Sequence, residues 1–270
     1  MSTVEKAIKK ELIEETGWLI INRPESKNAI SIEMWRAIPE AVSQLHAQGA
    51  RAIVITGTDA CFAAGADLKE LQAIDGYDKA STFWHAISET LDFIHCFEIP
   101  TVAMIDGACI GGGCLLAIAC DIRVASTAST FGIPVAKLGI VLDDLSVARL
   151  TSLVGPAVAS QLLFTGEVVS AEEAEEIGLV NRVTEDSALK ETINKLTGAI
   201  AGNGYASVRE AKRSIRRNQL GLEASGLRPQ HESVVVASYL TSDFRQRIDR
   251  FNKSIDSTAK SARSAGASEE

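Results

Sequence analysis

Basic residues are in the minority in this chain. Lys and Arg number 27 against 35 Asp and Glu, a formal net charge of −8 at pH 7. No block of five or six basic residues occurs, so the electrostatic footprint of a nucleic-acid binder is missing. The densest basic stretch places Arg209, Lys212, Arg213, Arg216 and Arg217 at helical spacing. It reads as a solvated helix face, with phosphate contact as the alternative. No run reaches 18 apolar residues, which argues against a membrane span. Residues 1–15 alternate Lys and Glu without an apolar centre and do not read as a secretory signal. Cysteines are few and odd in number: Cys61, Cys96, Cys109, Cys114 and Cys120. Their neighbours are apolar and their spacings match no zinc site, so they read as reduced core residues of a cytoplasmic protein.

What is present is a globular composition. The chain has 270 residues, 46% of them hydrophobic and 23% charged. That excludes a disordered or collagen-like chain and leaves room for one large domain or two small ones. Trp18 to Asn22 reads as a strand ended by Arg23-Pro24. Ser31 is a helix N-cap, and Met34, Ile38, Val42 and Leu45 follow at helical spacing as far as about Gln48. Arg51 to Thr56, Thr101 to Ile105 and Asp121 to Ala125 read as buried strands. Gly112 to Cys120 reads as a buried helix. Strands alternating with helices predict an α/β fold. Ser170 with Glu173 forms a capping box stopped by Gly178. Helices follow over 187–202, 205–220, 229–240 and 243–254, the last capped by Thr241 or Ser242. The tail 257–270 reads as disordered.

Two glycine-bearing turns follow buried strands: Ala63-Ala64-Gly65-Ala66-Asp67-Leu68-Lys69, and Gly107-Ala108-Cys109-Ile110-Gly111-Gly112-Gly113 at the start of a helix. Such a turn presents free backbone N–H groups and the positive end of the helix dipole, which suits a phosphate or a developing oxyanion. Tight packing of strand against helix is the plainer use of the same glycines. Leu116 breaks the dinucleotide-binding pattern, and no Gly-Lys-Ser/Thr completes a P-loop.

Taken in order with Asn22-Arg23-Pro24, Asn28-Ala29, Ile99-Pro100-Thr101, Cys120-Asp121-Ile122, Phe131-Gly132-Ile133-Pro134, Lys137-Leu138-Gly139 and Ile177-Gly178-Leu179-Val180-Asn181, these turns make the chain resemble the enoyl-CoA hydratase/isomerase, or crotonase, superfamily over residues 15–255. The resemblance implies an α/β core of stacked β-β-α units over 1–200 and a helical C-terminal trimerisation region over 201–256. It implies an acyl-CoA thioester partner and a homotrimer or dimer of trimers. It implies no cofactor beyond coenzyme A as substrate carrier, and no metal. It maps the thioester oxygen onto the N–H groups of Ala66 and Gly112. Coenzyme A would lie along Glu25 to Ala29 and along Ala64, Asp67, Leu68 and Lys69, with Lys27 and Lys69 as the nearest cations for its phosphates. Phe251 and Lys253 are further candidates for coenzyme A.

The sequence departs from the family where hydratases carry two glutamates, for Leu115 and Val135 stand there. Asp143 occupies a position where double-bond isomerases of the family, and 4-chlorobenzoyl-CoA dehalogenase, carry an Asp. Double-bond isomerisation with Asp143 as the base is therefore the leading expectation. Glu89 is the second acid/base candidate, followed by His85, on a helix over 81–97. Asp143 as a nucleophile in dehalogenation or hydrolysis, a hydratase with unusual acid/base groups, and a non-catalytic acyl-CoA-binding protein are the alternatives. The plain reading of Asp143 and Asp144 is helix N-cap chemistry. That of Glu89 is a solvent face.

Overall fold

The computed structural model describes residues 3–219 together with 237, 241–244, 246–248 and 250. The chain divides into two compact units, Met1–Gly202 and Asn203–Glu270.

The first unit begins with α1 (Thr3–Ala7), β1 (Ile8–Ile13), β2 (Thr16–Ile21) and α2 (Ile32–Ala47). It continues with β3 (Ala52–Gly57), β4 (Cys61–Ala63), α3 (Leu68–Gln72), α4 (Tyr77–Cys96), β5 (Thr101–Ile105), β6 (Ala108–Ile110) and α5 (Gly112–Ala119). β7 (Ile122–Ser126), β8 (Thr130–Gly132), α6 (Asp144–Thr165), β9 (Val168–Ser170), α7 (Ala171–Glu176), β10 (Arg182–Thr184) and α8 (Asp186–Gly202) complete it.

Two sheets result. The larger runs β1-β2-β3-β5-β7-β10 and the smaller β4-β6-β8-β9. Every neighbouring pair is parallel except β1 with β2 and β8 with β9. The pairs β3-β4, β5-β6 and β7-β8 each give one strand to each sheet before the chain enters a helix. This is the expected stack of β-β-α units. Trp18, Val54, Val102 and Val124 line one face of the large sheet, and Leu189 and Ile193 of α8 close over them. The inner strands read as continuous apolar runs because both faces of a parallel sheet are covered.

Several boundaries expected from sequence recur. Ser31 caps α2, its hydroxyl accepting from the Met34 N–H at 3.3 Å. Ser170 and Glu173 form the reciprocal capping box of α7. In the second unit α9 spans Tyr205–Gln219. The Thr241 hydroxyl accepts from the Phe244 N–H at 3.1 Å.

Other expectations need correction. The Lys/Glu alternation over 1–15 contains a strand, β1, joined to β2 through Glu14, whose φ is 53°. No Gly or Asn marked that turn, and an edge strand with only Ile8 buried carries no apolar run. The strands of the small sheet are three residues long and escaped the periodic pattern. The basic stretch of α9 is not wholly solvated. Lys212 is buried, and Glu210 pairs with both Arg213 and Arg217. The helix expected over 229–240, apart from Ala237, and the tail over 257–270 lie outside the described residues, as do Phe251 and Lys253.

Among the described residues one helix, α6, is long and apolar enough to cross a bilayer by length and composition. Arg149 within it pairs with Asp92 of α4, and Gly155, at φ 75°, breaks its helical path. Leu145 and Phe164 of this helix stand exposed, beside the exposed Leu138, Val141 and Val168 in the flanking chain.

Candidate active site

The two glycine-bearing turns meet. Gly65 follows β4 with φ +115°, and a Cβ there would lie 3.2 Å from the Ile110 carbonyl oxygen and 3.6 Å from the Gly112 nitrogen. Gly113 comes closer still, since its Cβ would fall 2.3 Å from the Ala63 oxygen. Only glycine lets the backbones approach to this degree. The glycines therefore do pack one turn against the other, and that packing brings the two candidate donors together. A Cβ on Gly112 would stand 3.4 Å from the Ala66 nitrogen.

Each donor is free for its own reason. Gly112 is the first residue of α5, whose N-cap, Gly111, offers no side chain. Its N–H therefore belongs to the orphan set at a helix start, where the dipole is positive. Ala66 forms a parallel bridge with Ile30. That bridge runs from the Ile30 N–H to the Gly65 oxygen at 2.8 Å and from the Asp67 N–H to the Ile30 oxygen at 3.1 Å, and it spares the Ala66 N–H. Ala66 and Gly112 are both partly exposed.

The flanking loop is rigidly built. Asn28, fully buried at φ 55°, donates its amide to the Thr58 and Cys61 carbonyls at 2.9 and 2.6 Å and accepts from the Arg23 N–H at 2.8 Å. Asn tolerates the left-handed region better than most residues. The quoted Asn28-Ala29 motif is thus a staple between this loop and the β3–β4 corner.

Of the residues expected along coenzyme A, Lys27, Leu68 and Lys69 are exposed. The Ala64 N–H is given to the Lys27 carbonyl at 3.0 Å. The Asp67 carboxylate is committed within the protein. One oxygen accepts from Arg23 Nη1 at 2.5 Å and the other from the Lys69 N–H at 2.8 Å, capping α3. Burial pushes the Asp67 carboxyl up, but the Arg23 and Lys69 hydrogen bonds and the Arg23 charge outweigh it and hold it below the ordinary carboxylate range. Glu70 shifts the other way, burial outweighing the bond it accepts from the Ile32 N–H at 2.7 Å. The sequence marks Arg23 only as a strand end and as part of the Asn22-Arg23-Pro24 motif and does not mark Glu70, since a lone charge carries no periodic signal.

Asp143 is the N-cap of α6, one oxygen accepting from the Ser146 N–H at 2.9 Å and the other from its hydroxyl at 2.7 Å. Asp144 is exposed in the first turn of α6. Leu115 is buried on α5 and Val135 is half-buried. Glu89 of α4 is 77% exposed and lies 3.6 Å from His85, on the solvent face that was its plain reading. Arg123 explains two further motifs. It is buried and donates to the Leu179 and Cys120 carbonyls and to the Asn181 side chain, tying α5, β7 and the Leu179-Val180-Asn181 turn together.

Comparison with known proteins shows the family. The family model described as enoyl-CoA hydratase/isomerase matches residues 16–256. A crotonyl-CoA hydratase of Syntrophomonas wolfei is 37% identical over 201 residues, covering 74% of this chain and 77% of that protein. A short-chain-enoyl-CoA hydratase of Clostridium acetobutylicum is 35% identical over 202 residues, covering 73% and 76%. The crystal structure of an enoyl-CoA hydratase/isomerase family protein from Hyphomonas neptunium superposes with a TM-score of 0.88 at 35% identity, covering 94% of this chain and 97% of that one. With two meeting turns, two spared amides and a match along nearly the whole chain, this protein belongs to the enoyl-CoA hydratase/isomerase family.

Proposed function

We propose that this chain processes acyl-CoA thioesters by holding the thioester oxygen between the N–H groups of Ala66 and Gly112 while a proton leaves the adjacent carbon. The observation that carries the reading is the convergence of the two amides, with 3.4 Å between the Ala66 nitrogen and a Cβ placed on Gly112. Loss of that proton puts negative charge on the thioester oxygen. Donors already fixed there need no reorganisation, and removing one such donor costs about 2.7–4 kcal/mol of barrier. Coenzyme A would run along the exposed Lys27, Leu68 and Lys69, the two ammonium groups facing its phosphates.

Within this chemistry the proposed reaction is double-bond isomerisation, with Asp143 carrying the proton. Leu115 and Val135 can exchange none, which makes Asp143 the carboxylate of choice. Its bonds to Ser146 fix the direction of the carboxylate. Hydration is the second reading, favoured by the names of the Syntrophomonas and Clostridium relatives. The exposed apolar residues of α6 and its flanks support assembly as a homotrimer or dimer of trimers, which light scattering would measure.

The test is mass spectrometry of saturated, 2-enoyl, 3-enoyl, 3,5-dienoyl and halogenated aryl CoA esters incubated with the protein in deuterated water. Deuterium uptake or a moved double bond, lost in Asp143→Asn, supports isomerisation. Water added to a 2-enoyl ester supports hydration. Binding without exchange or turnover would sink the enzyme reading.

A further inference from the structure

We propose that Arg23 and Asp67 form a positioning pair for the Ala66 N–H, and that the stretch from Arg23 to Trp35 is the common frame of both oxyanion donors. The inference rests on the reading above, in which the two amides meet a thioester oxygen.

Ala66 carries no side-chain hydrogen bond of its own, so its amide can only be aimed through its neighbours. Gly65 and Asp67 are both bonded to Ile30, at 2.8 and 3.1 Å. Those two bonds fix the peptide planes on either side of Ala66 relative to one residue. Arg23 then closes the bracket. Its Nη1 donates to the Asp67 carboxylate at 2.5 Å and to the Ala29 carbonyl at 3.2 Å. A single guanidinium thereby joins the residue after Ala66 to the residue before Ile30. Charge-assisted bonds of this kind are shorter and stronger than neutral ones. The guanidinium is itself anchored, for the Arg23 backbone exchanges hydrogen bonds with Asn28, at 2.8 Å to its side chain and 2.9 Å from its N–H.

The same stretch reaches the second donor by packing. Past Ile30 the chain enters α2, where Trp35 is fully buried. Its Cζ2 lies 3.1 Å from the position of a Cβ on Gly112. The Trp35 indole N–H has no hydrogen-bond partner among the described residues, and what the ring brings to Gly112 is contact. Glu70 holds the start of α2 by accepting from the Ile32 N–H. One donor is thus held by hydrogen bonds and the other by contact, and both supports are built on residues 23–35. Arg23 and Asp67 act through this frame and need touch no reacting atom.

The test is isotope-edited infrared spectroscopy of a saturated acyl-CoA labelled with carbon-13 at the thioester carbonyl. It is bound to the whole protein and to Arg23→Lys, Asp67→Asn and the charge-neutral double variant Arg23→Gln with Asp67→Asn. In the unsubstituted protein the carbonyl band shifts to lower frequency as the donors polarise it. In each variant the shift is expected to fall by about half, and in Arg23→Lys the affinity for free coenzyme A should stay within about threefold of the original. Both bonds leave the one nitrogen Nη1, which lies a bond farther along the side chain than a lysine Nζ, so Arg23→Lys falls short of the two acceptors and should not rescue. An unaltered carbonyl shift in any folded variant would overturn the inference while leaving the functional reading intact. Failure of all three variants to fold would make the pair a folding element and overturn it too. No shift in the unsubstituted protein would sink the functional reading itself.

Discussion

The two turns that supply the candidate donors are built by opposite means. The turn from Ala63 to Lys69 is held from outside by side chains: Arg23 on Asp67, Asn28 on the adjoining corner, Glu70 on the start of α2. The turn from Gly107 to Gly113 is held by backbone fit. Glycines there fill spaces in which a Cβ would fall 1.8 Å from the Ala60 oxygen at Gly107 and 2.3 Å from the Ala63 oxygen at Gly113. A side-chain latch can be weakened by degrees, whereas a backbone contact at such distances has no partial state. The side-chain latches of the first turn should therefore yield by degrees, and the second turn should fail abruptly at Gly107 and Gly113, where the contacts are tightest.

The largest effect should come from Gly107→Ala, which combines the 1.8 Å clash with a φ of +70°. Roughly 3 kcal/mol or more of stability should be lost, as measured by urea unfolding. Stability close to that of the original protein would break the contrast. Gly112→Ala should separate function from fold. Its Cβ meets Trp35 at 3.1 Å and the Ala66 nitrogen at 3.4 Å, contacts that small shifts absorb. Unfolding should change little while turnover falls by about 10²–10³-fold, the size of losing one oxyanion donor. Unchanged turnover would remove Gly112 from the site.

Arg23→Gln should cost the first turn only about 1–2 kcal/mol, because the Lys69 N–H still satisfies one Asp67 oxygen and the guanidinium is a quarter exposed. A thermal melt equal in loss to that of Gly107→Ala would show the latch to be no weaker than the backbone contact. The smallest effect concerns pH. The folded state depresses the Asp67 pKa, so its stabilising share is complete above the ordinary value of about 3.9 and is lost as pH falls through the lower folded value. Glu70 has the opposite sign: its raised pKa gives a share present below its ordinary value and lost as pH rises through the folded one. Asp67→Asn should flatten the acid limb of a stability–pH profile and Glu70→Gln the limb above it. Parallel profiles for the two variants would contradict the assignment.

Long apolar or amphipathic runs could be read before the structure was seen. The segment 101–105 is β5, and the helix from Ser31 ends at Gln48. Strands of three residues could not be read, because alternation over three positions is indistinguishable from loop composition. The two glycine turns were readable, since glycines mark where a chain must come close, while the choice of Ala66 and Gly112 within them is what the family resemblance implies. The residues that aim those donors were not readable. The sequence places Asp67 along coenzyme A, but gives no sign that its carboxylate bonds to Arg23, a partner 44 positions away. Glu89 and Asp143 carried the right chemistry in the sequence; Glu89 stands in solvent paired with His85, and Asp143 caps α6.

The sequence by itself determined the fold class, the two glycine turns and the apolar residues at 115 and 135, because these depend on local pattern and residue type. The tertiary structure alone decided that the turns face one another, that Ile30 and Arg23 bracket Ala66, and that Trp35 abuts Gly112. Those relations join residues far apart in the chain, and only packing in three dimensions brings them within hydrogen-bond or van der Waals reach.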